Sequence, residues 1–298
     1  LYIPPVQNLL RREVTAYASE ATGMQIQVER IDLRFPLNLL VRGVEVIQRP
    51  DTLLSLESLN VRVQAWPLIK GKVEVDEVTL NQVAVNSAGL IEGMKIKGVL
   101  GRFFLQSHGV DLSNEIAIIN QVDLSDTHVQ LVMNDTTTAP KDTTASAPVN
   151  WKVDLHQLNL GNVSFSMQLP ADSMRMAAYI GEASVNDAQA DLKHQFYSLK
   201  QFLLSGGSAN YDTGAAKPVE GFDASHIAVR DIRIGLDSLL YKGRNMNAVL
   251  REFSMNERSG LSITSLAGRV YSNDSIICVP GLKLQTPHSE IDLSAHTY

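Results

Sequence analysis

The 298-residue chain is poor in the residues that most chemistry needs: it has one cysteine, two tryptophans and 6% aromatic residues overall. A lone thiol excludes an internal disulfide and any cysteine-built metal site. Cys278 stands in the run Ile276-Ile277-Cys278-Val279 and reads as a small buried residue. So little cysteine suits an oxidising compartment. The 26 basic residues are outnumbered by 32 acidic ones, a net charge of −6. That balance argues against a nucleic-acid partner, which needs clustered Lys and Arg to neutralise phosphates. No apolar run approaches the ~18 residues of a transmembrane helix. The histidines, His108, His128, His156, His194, His226, His288 and His296, show no metal-ligand spacing. Nucleophile elbows, phosphate loops and dinucleotide fingerprints are absent as well. No catalytic residue, metal or cofactor is assigned, and an enzyme is not expected.

What the chain does have is 44% hydrophobic content dominated by Val, Ile and Leu, which leans towards strands. Its apolar residues recur at i, i+2, i+5 and i+7. Ile26, Val28, Ile31 and Leu33 show the pattern first, followed by Leu39, Val41, Val44 and Val46, and by Leu54, Leu56, Leu59 and Val61. Val73, Val75, Val78 and Leu80 continue it, with Val83 and Val85 beyond. The second half repeats it as Val153, Leu155, Leu158 and Leu160 with Val163 and Phe165, and as Ile227, Val229, Ile232 and Ile234. On a helix these positions would scatter around the cylinder. On a strand each step of two keeps one face, and the step of three reverses the phase unless a β-bulge or tight bend absorbs a residue. The expectation is a sheet with one apolar and one polar face.

Other stretches alternate more simply, as Val129, Leu131 and Met133 and as Met174, Met176, Ala178 and Ile180, and further segments read differently. Val6, Leu10, Val14, Tyr17 and Ala21 have helical spacing and Gly23 is a suitable stop, so residues 1–23 predict a short N-terminal amphipathic α-helix. The start at Leu1, with Leu1-Tyr2-Ile3-Pro4-Pro5, suits the mouth of a preceding membrane anchor. Residues 90–104, interrupted by Gly93, Gly98 and Gly101, predict a loop-rich stretch or exposed hairpin. Residues 192–204 fit helix or strand equally. Residues 135–148 contain no large apolar side chain and predict a flexible loop or linker between a first β segment, 24–134, and a second, 149–298.

An ordered series of motifs carries a resemblance. After the helix come Gly23-Met-Gln-Ile-Gln-Val-Glu-Arg-Ile31-Asp-Leu33, Leu40-Val-Arg-Gly43-Val-Glu-Val46, Leu56-Glu-Ser-Leu59-Asn-Val-Arg-Val63 and Leu68-Ile-Lys-Gly71-Lys-Val-Glu-Val75, with Gly221-Phe-Asp-Ala-Ser-His226 and Leu282-Lys-Leu-Gln-Thr286 later. The succession resembles the N-terminal region of TamB and its AsmA-like relatives, of the Bacteroidota type. The resemblance implies an all-β, elongated and incompletely closed sheet groove, a β-taco, in the periplasm of a protein anchored in the inner membrane. It also implies phospholipid transport between the inner and outer membranes, with acyl chains held in the groove, and/or assembly of outer-membrane proteins. The implied partners are the inner membrane, through an anchor outside this sequence, and a TamA-type outer-membrane barrel, through a C-terminal region not matched here. With the lineage comes an O-glycosylation motif, Asp followed by Ser or Thr and then a small or apolar residue. It falls at Thr52, Thr136, Thr143, Ser173, Ser238 and Ser275, of which Thr136 and Thr143 in the linker are the stronger candidates.

Two further classes stay open. A glycan-binding or adhesive β-module would use exposed aromatics, for which Trp66 and Trp151 are the available tryptophans, and a β-helical hydrolase or lyase would use paired acids across a cleft.

Overall fold

The computed structural model describes residues 12, 15, 16, 19, 20, 23–35, 37–48, 51–64, 75–87, 93–111, 114–134, 150–214 and 217–297. They form one open mixed sheet of 15 strands. In chain order these are β1 (Gln25–Arg34), β2 (Asn38–Gln48), β3 (Asp51–Val63), β4 (Val75–Asn86), β5 (Met94–Asp111), β6 (Ile116–Met133), β7 (Lys152–Leu169) and β8 (Met174–Asp191). There follow β9 (Phe196–Asp212), β10 (His226–Lys242), β11 (Asn245–Glu257), β12 (Ser262–Ile263), β13 (Ser265–Ser272), β14 (Ile277–Gln285) and β15 (Glu290–Thr297). Each strand pairs with the next in sequence, except that the two-residue β12 sits beside β11 while β13 carries the sheet onward.

Among these strands the pairing is antiparallel everywhere but between β6 and β7, where Ile116 faces Lys152 and Val132 faces Gln168. A parallel pair requires the chain to return to its starting end. Residues 135–149, including the linker expected at 135–148, lie outside those described. The sheet itself passes from β6 to β7 without a break, so the two expected β segments share one hydrogen-bonded ladder. The expected N-terminal helix also lies largely outside the described residues. At the β1 edge, Ser19 Oγ accepts a hydrogen bond from the Ile26 N–H at 3.1 Å.

The stretch expected to be loop-rich, 90–104, instead supplies most of β5, and the ambiguous 192–204 enters β9. Gly101 explains the first difference. A Cβ there would lie 2.6 Å from Asp126 Cβ and 3.0 Å from the Asp126 carbonyl on β6. A glycine that reads locally as a breaker is required by a close approach of two strands.

That close approach belongs to a line crossing the sheet. Glu29 on β1, Gly43 on β2, Glu57 on β3, Gln82 on β4, Gly101 on β5, Asp126 on β6, Asn162 on β7, Gly181 on β8 and Gly206 on β9 occupy corresponding positions, each at the phase reversal of its strand. Gly43, Gln82, Asp126, Asn162 and Gly206 have φ between +49° and +65°. A left-handed residue absorbs the extra position, so the apolar residues before and after it return to one side. Glu29 and Arg30 are exposed while Val28 and Ile31 on either side of them are covered, as this requires. Asn162 Nδ2 donates to Asp126 Oδ1 at 2.7 Å along the crease. On the longer strands a second crease passes through Asn120, His156, Asp187 (φ +48°) and Lys200.

Left-handed φ costs an L-residue about 1–2 kcal/mol, least for Asn and Asp. Replacing Gly43 by Val would add that strain and drive a Cβ to 2.6 Å from Glu29 Cβ. The expected loss is about 2 kcal/mol or more in urea unfolding. Gln82→Gly at the same crease is expected to be neutral or to stabilise by up to about 1 kcal/mol. Equal losses for both variants would show that the crease does not depend on left-handed backbone.

Candidate functional site, the apolar face

Directly paired residues on neighbouring strands share a face, so following the pairs strand by strand maps that face. One row reads Leu33, Leu39, Val61, Val78, Leu105, Val122, Leu158, Val185, Phe202, Leu236 and Leu250, from β1 to β11 without a polar residue. A second reads Ile31, Val41, Leu59, Leu80, Phe103, Leu124, Leu160, Ala183, Leu204, Ile234 and Phe253 over the same strands. Across the crease, Val28, Val44, Leu56, Val83, Leu100, Thr127, Val163 and Ile180 form a third. The fourth is Ile26, Val46, Leu54, Val85, Gly98, Val129, Phe165, Ala178, Ala209 and Val229. At the usual spacing of about 4.8 Å, the steps from β1 to β11 make each long row roughly 48 Å from end to end.

The rows take up most of the residues expected to line an apolar face. Ile232 joins through Gly207 on β9, Val153 pairs with Ala117 and Ala190, Leu155 with Ile119 and Ala188, Ile227 with Tyr211, and Val75 with Val63. Val73 lies outside the described residues, as do Thr136, Thr143 and Trp66. The periodicity missed the contributions of β5, β9 and β11, while simple alternation marked part of β6 at Val129, Leu131 and Met133 and part of β8 at Met174, Met176, Ala178 and Ile180. In β5 the signal is present as Ile96, Leu100, Phe103 and Leu105, but Gly98 takes the place of an apolar residue and Gly101 breaks the run. In β8 the alternation stops at Ile180, and beyond it Ala183, Ala188 and Ala190 carry little periodic signal.

Among the described residues no second layer covers the rows. No large side chain there is fully buried, and the buried apolar residues are Ile31, Leu53, Ala117, Ala183 and Cys278. The accessible surface is 18885 Å². A compact monomer of 32.7 kDa would expose roughly 12,400 Å². Half-covered Val, Ile and Leu in unbroken rows are therefore a continuous apolar surface, far larger than the patches that soluble monomers leave uncovered.

The opposite face is polar. Asn81 Nδ2 donates to Ser58 Oγ at 3.0 Å, Asn159 Nδ2 to Asp123 Oδ1 at 2.7 Å, and Asn186 Nδ2 to Gln201 Oε1 at 3.0 Å. At the second crease Asp187 meets His156 Nδ1 at 3.1 Å and Lys200 Nζ at 3.0 Å. Exposed ion pairs of this kind contribute about 1 kcal/mol at most, so the backbone ladder and the apolar rows account for the fold.

Histidines 108, 128, 156, 194 and 226 each have a different partner, and no group of three metal-ligating side chains occurs among the described residues. A shallow pocket of about 620 Å³ brings Asp123, Glu182 and Glu252 to one lining with Arg251. The three acids do not form a group that could hold a metal ion. No helix among the described residues is long and apolar enough to cross a membrane. No protein-family model matches the chain, and no curated protein matches it.

One acidic cluster has a clear structural role. Asp223, in the β9–β10 connection, accepts the backbone N–H of Val219 at 3.1 Å, that of Ser225 at 3.0 Å and His226 Nδ1 at 2.8 Å. The Val219 N–H above all, then His226, hold its carboxyl below the usual value of 3.8. A carboxylate whose folded-state pKa is depressed contributes stability that is complete above the unfolded value and is lost as pH falls through the folded one. Urea unfolding should therefore show stability falling below about pH 4, with a smaller fall in Asp223→Asn. An unchanged acid slope in that variant would remove Asp223 from the account.

Proposed function

We propose that this chain is a non-enzymatic lipid-carrying segment of an envelope bridge of the TamB/AsmA-like kind, its sheet forming an elongated, incompletely closed groove. The observation that carries the reading is the set of apolar rows running from β1 to β11 across an open sheet, with no described residue layered on them. Rows perpendicular to the strands offer an acyl chain the same surface at every step. Each buried CH₂ contributes about 0.8 kcal/mol, so a long chain gains several kcal/mol wherever it lies. Uniform affinity along a track favours movement over capture at one place. The creases support the groove: at the aligned phase reversals, five of which hold a left-handed residue, strands bend about their apolar face. No residue has to do covalent work.

In the full-length protein this reading places the segment in the periplasm, anchored in the inner membrane, with phospholipid as cargo and a TamA-type barrel engaged by another region. Thr136 and Thr143 remain the proposed O-glycosylation sites.

Native mass spectrometry of gently purified protein is expected to show bound phospholipid. Val75, Leu80 and Val85 all lie on β4, the last two in the rows, and replacing them by Asp should reduce the lipid carried while the ladder persists. A folded, normally expressed triple variant that carries as much lipid as the parent would sink the groove reading, as would a parent repeatedly free of lipid.

A further inference from the structure

The apolar face changes character at one place on its margin. Beyond the second crease it continues as the pairs Leu155–Ala188, Ala188–Leu199 and Leu199–Leu239, and two residues nearer the strand ends it reaches Tyr197 and Tyr241. These two tyrosines are direct cross-strand partners, with ring centroids 6.0 Å apart and planes tilted by 33°. Each is 38% exposed. They stand where the Leu199–Leu239 rung meets the β8–β9 and β10–β11 turns. Those turns touch through the Gly243 N–H and the Gln195 carbonyl at 3.5 Å.

The same turns carry Lys193, Lys242 and Arg244, all exposed. No acidic side chain among the described residues lies within ion-pair distance of any of the three. The acid nearest in sequence, Asp191, is already engaged by His194 at 2.9 Å and Lys152 at 3.6 Å. Elsewhere on the sheet Arg30, Arg62, Lys152, Lys200 and Arg251 each have a carboxylate partner, while Lys95, Lys97 and Arg102 have none among the described residues, so it is the company of the two tyrosines that sets this rim apart. The rim at β8–β11 thus combines three cations, with no carboxylate partner among the described residues, and a pair of amphipathic rings at the end of an apolar track. Tyrosine favours positions with one apolar and one wet side, and clustered Lys and Arg attract anionic headgroups.

We propose that this rim is a headgroup site for an anionic glycerophospholipid, whose phosphate sits among Lys193, Lys242 and Arg244 while its acyl chains pass Tyr197 and Tyr241 onto Leu199 and Leu239. The inference rests on the lipid-carrying reading above and adds a preference to it. A groove lined only by Val, Ile and Leu selects no headgroup, whereas a cationic rim at one set of turns favours anionic lipid there.

The test is a titration of the chain with phosphatidylglycerol and with phosphatidylcholine of matched acyl chains, read by native mass spectrometry, with inorganic phosphate as competitor. The parent should retain phosphatidylglycerol about tenfold better than phosphatidylcholine. A combined Lys193→Gln, Lys242→Gln and Arg244→Gln variant should bring the two lipids level, lowering phosphatidylglycerol far more than phosphatidylcholine, whose choline already offsets its phosphate charge. Equal retention of both lipids by the parent overturns the headgroup site but leaves the groove standing, and it needs no variant to be folded. A preference that survives in the triple variant overturns the assignment to these residues. Competition by inorganic phosphate at millimolar concentration would show an anion site with no need of acyl chains, also against the proposal. Retention of neither lipid would overturn the groove reading and this inference with it.

Discussion

Everything in this molecule depends on the unbroken ladder of strand-to-strand backbone hydrogen bonds. A single-layer sheet has no core to hold it, so the satisfied N–H and C=O groups of each strand depend on the strand beside it. Register follows from the same condition. A slip of one residue anywhere would turn a strand's Val, Ile and Leu to the polar side. The pairing of β6 with β7 shows how strict this is. There the direction of the chain changes relative to its neighbour, yet Val122 still faces Leu158 and Leu124 still faces Leu160, and the rows pass through.

The creases are the second consequence. Strands of up to 18 residues, such as β5 to β8, would make a long flat ribbon if their alternation were perfect. The step of three gives each one a place to turn, and it works only if the steps line up across the sheet. Small residues and left-handed ones share that duty: Gly43 beside Glu29, Gly101 beside Asp126, and Asn162 bonded to Asp126. A side chain on one strand occupies the space its neighbour's glycine leaves open.

Function, on this reading, comes from geometry spread over many residues. No single apolar side chain is indispensable to a track that offers the same surface at each rung, whereas the cations gathered beside Tyr197 and Tyr241 supply, on the same reading, a local chemistry that distinguishes one cargo from another. Asp223 has a different task, since it holds the β9–β10 connection in place.

Much of this fold is legible in the chain's own rhythm. The i, i+2, i+5, i+7 spacing in β1 to β4, β7 and β10 determined strand rather than helix, one apolar face, and a bend at each phase reversal, because a period of two and its interruption are properties of the local chain. Gly98 and Gly101 hid β5, since glycine reads as a breaker until the strand that needs its missing side chain is known. Alanines hid the second half of β8, beyond Ile180, for the related reason that a small residue contributes little to a pattern. Only the tertiary structure decided that the separate bends form one line, that β6 and β7 pair in parallel across the segment between them, and that Tyr197 meets Tyr241 below Lys193, Lys242 and Arg244. Each of those is a relation between strands distant in sequence, set by register, and register is a property of the whole ladder.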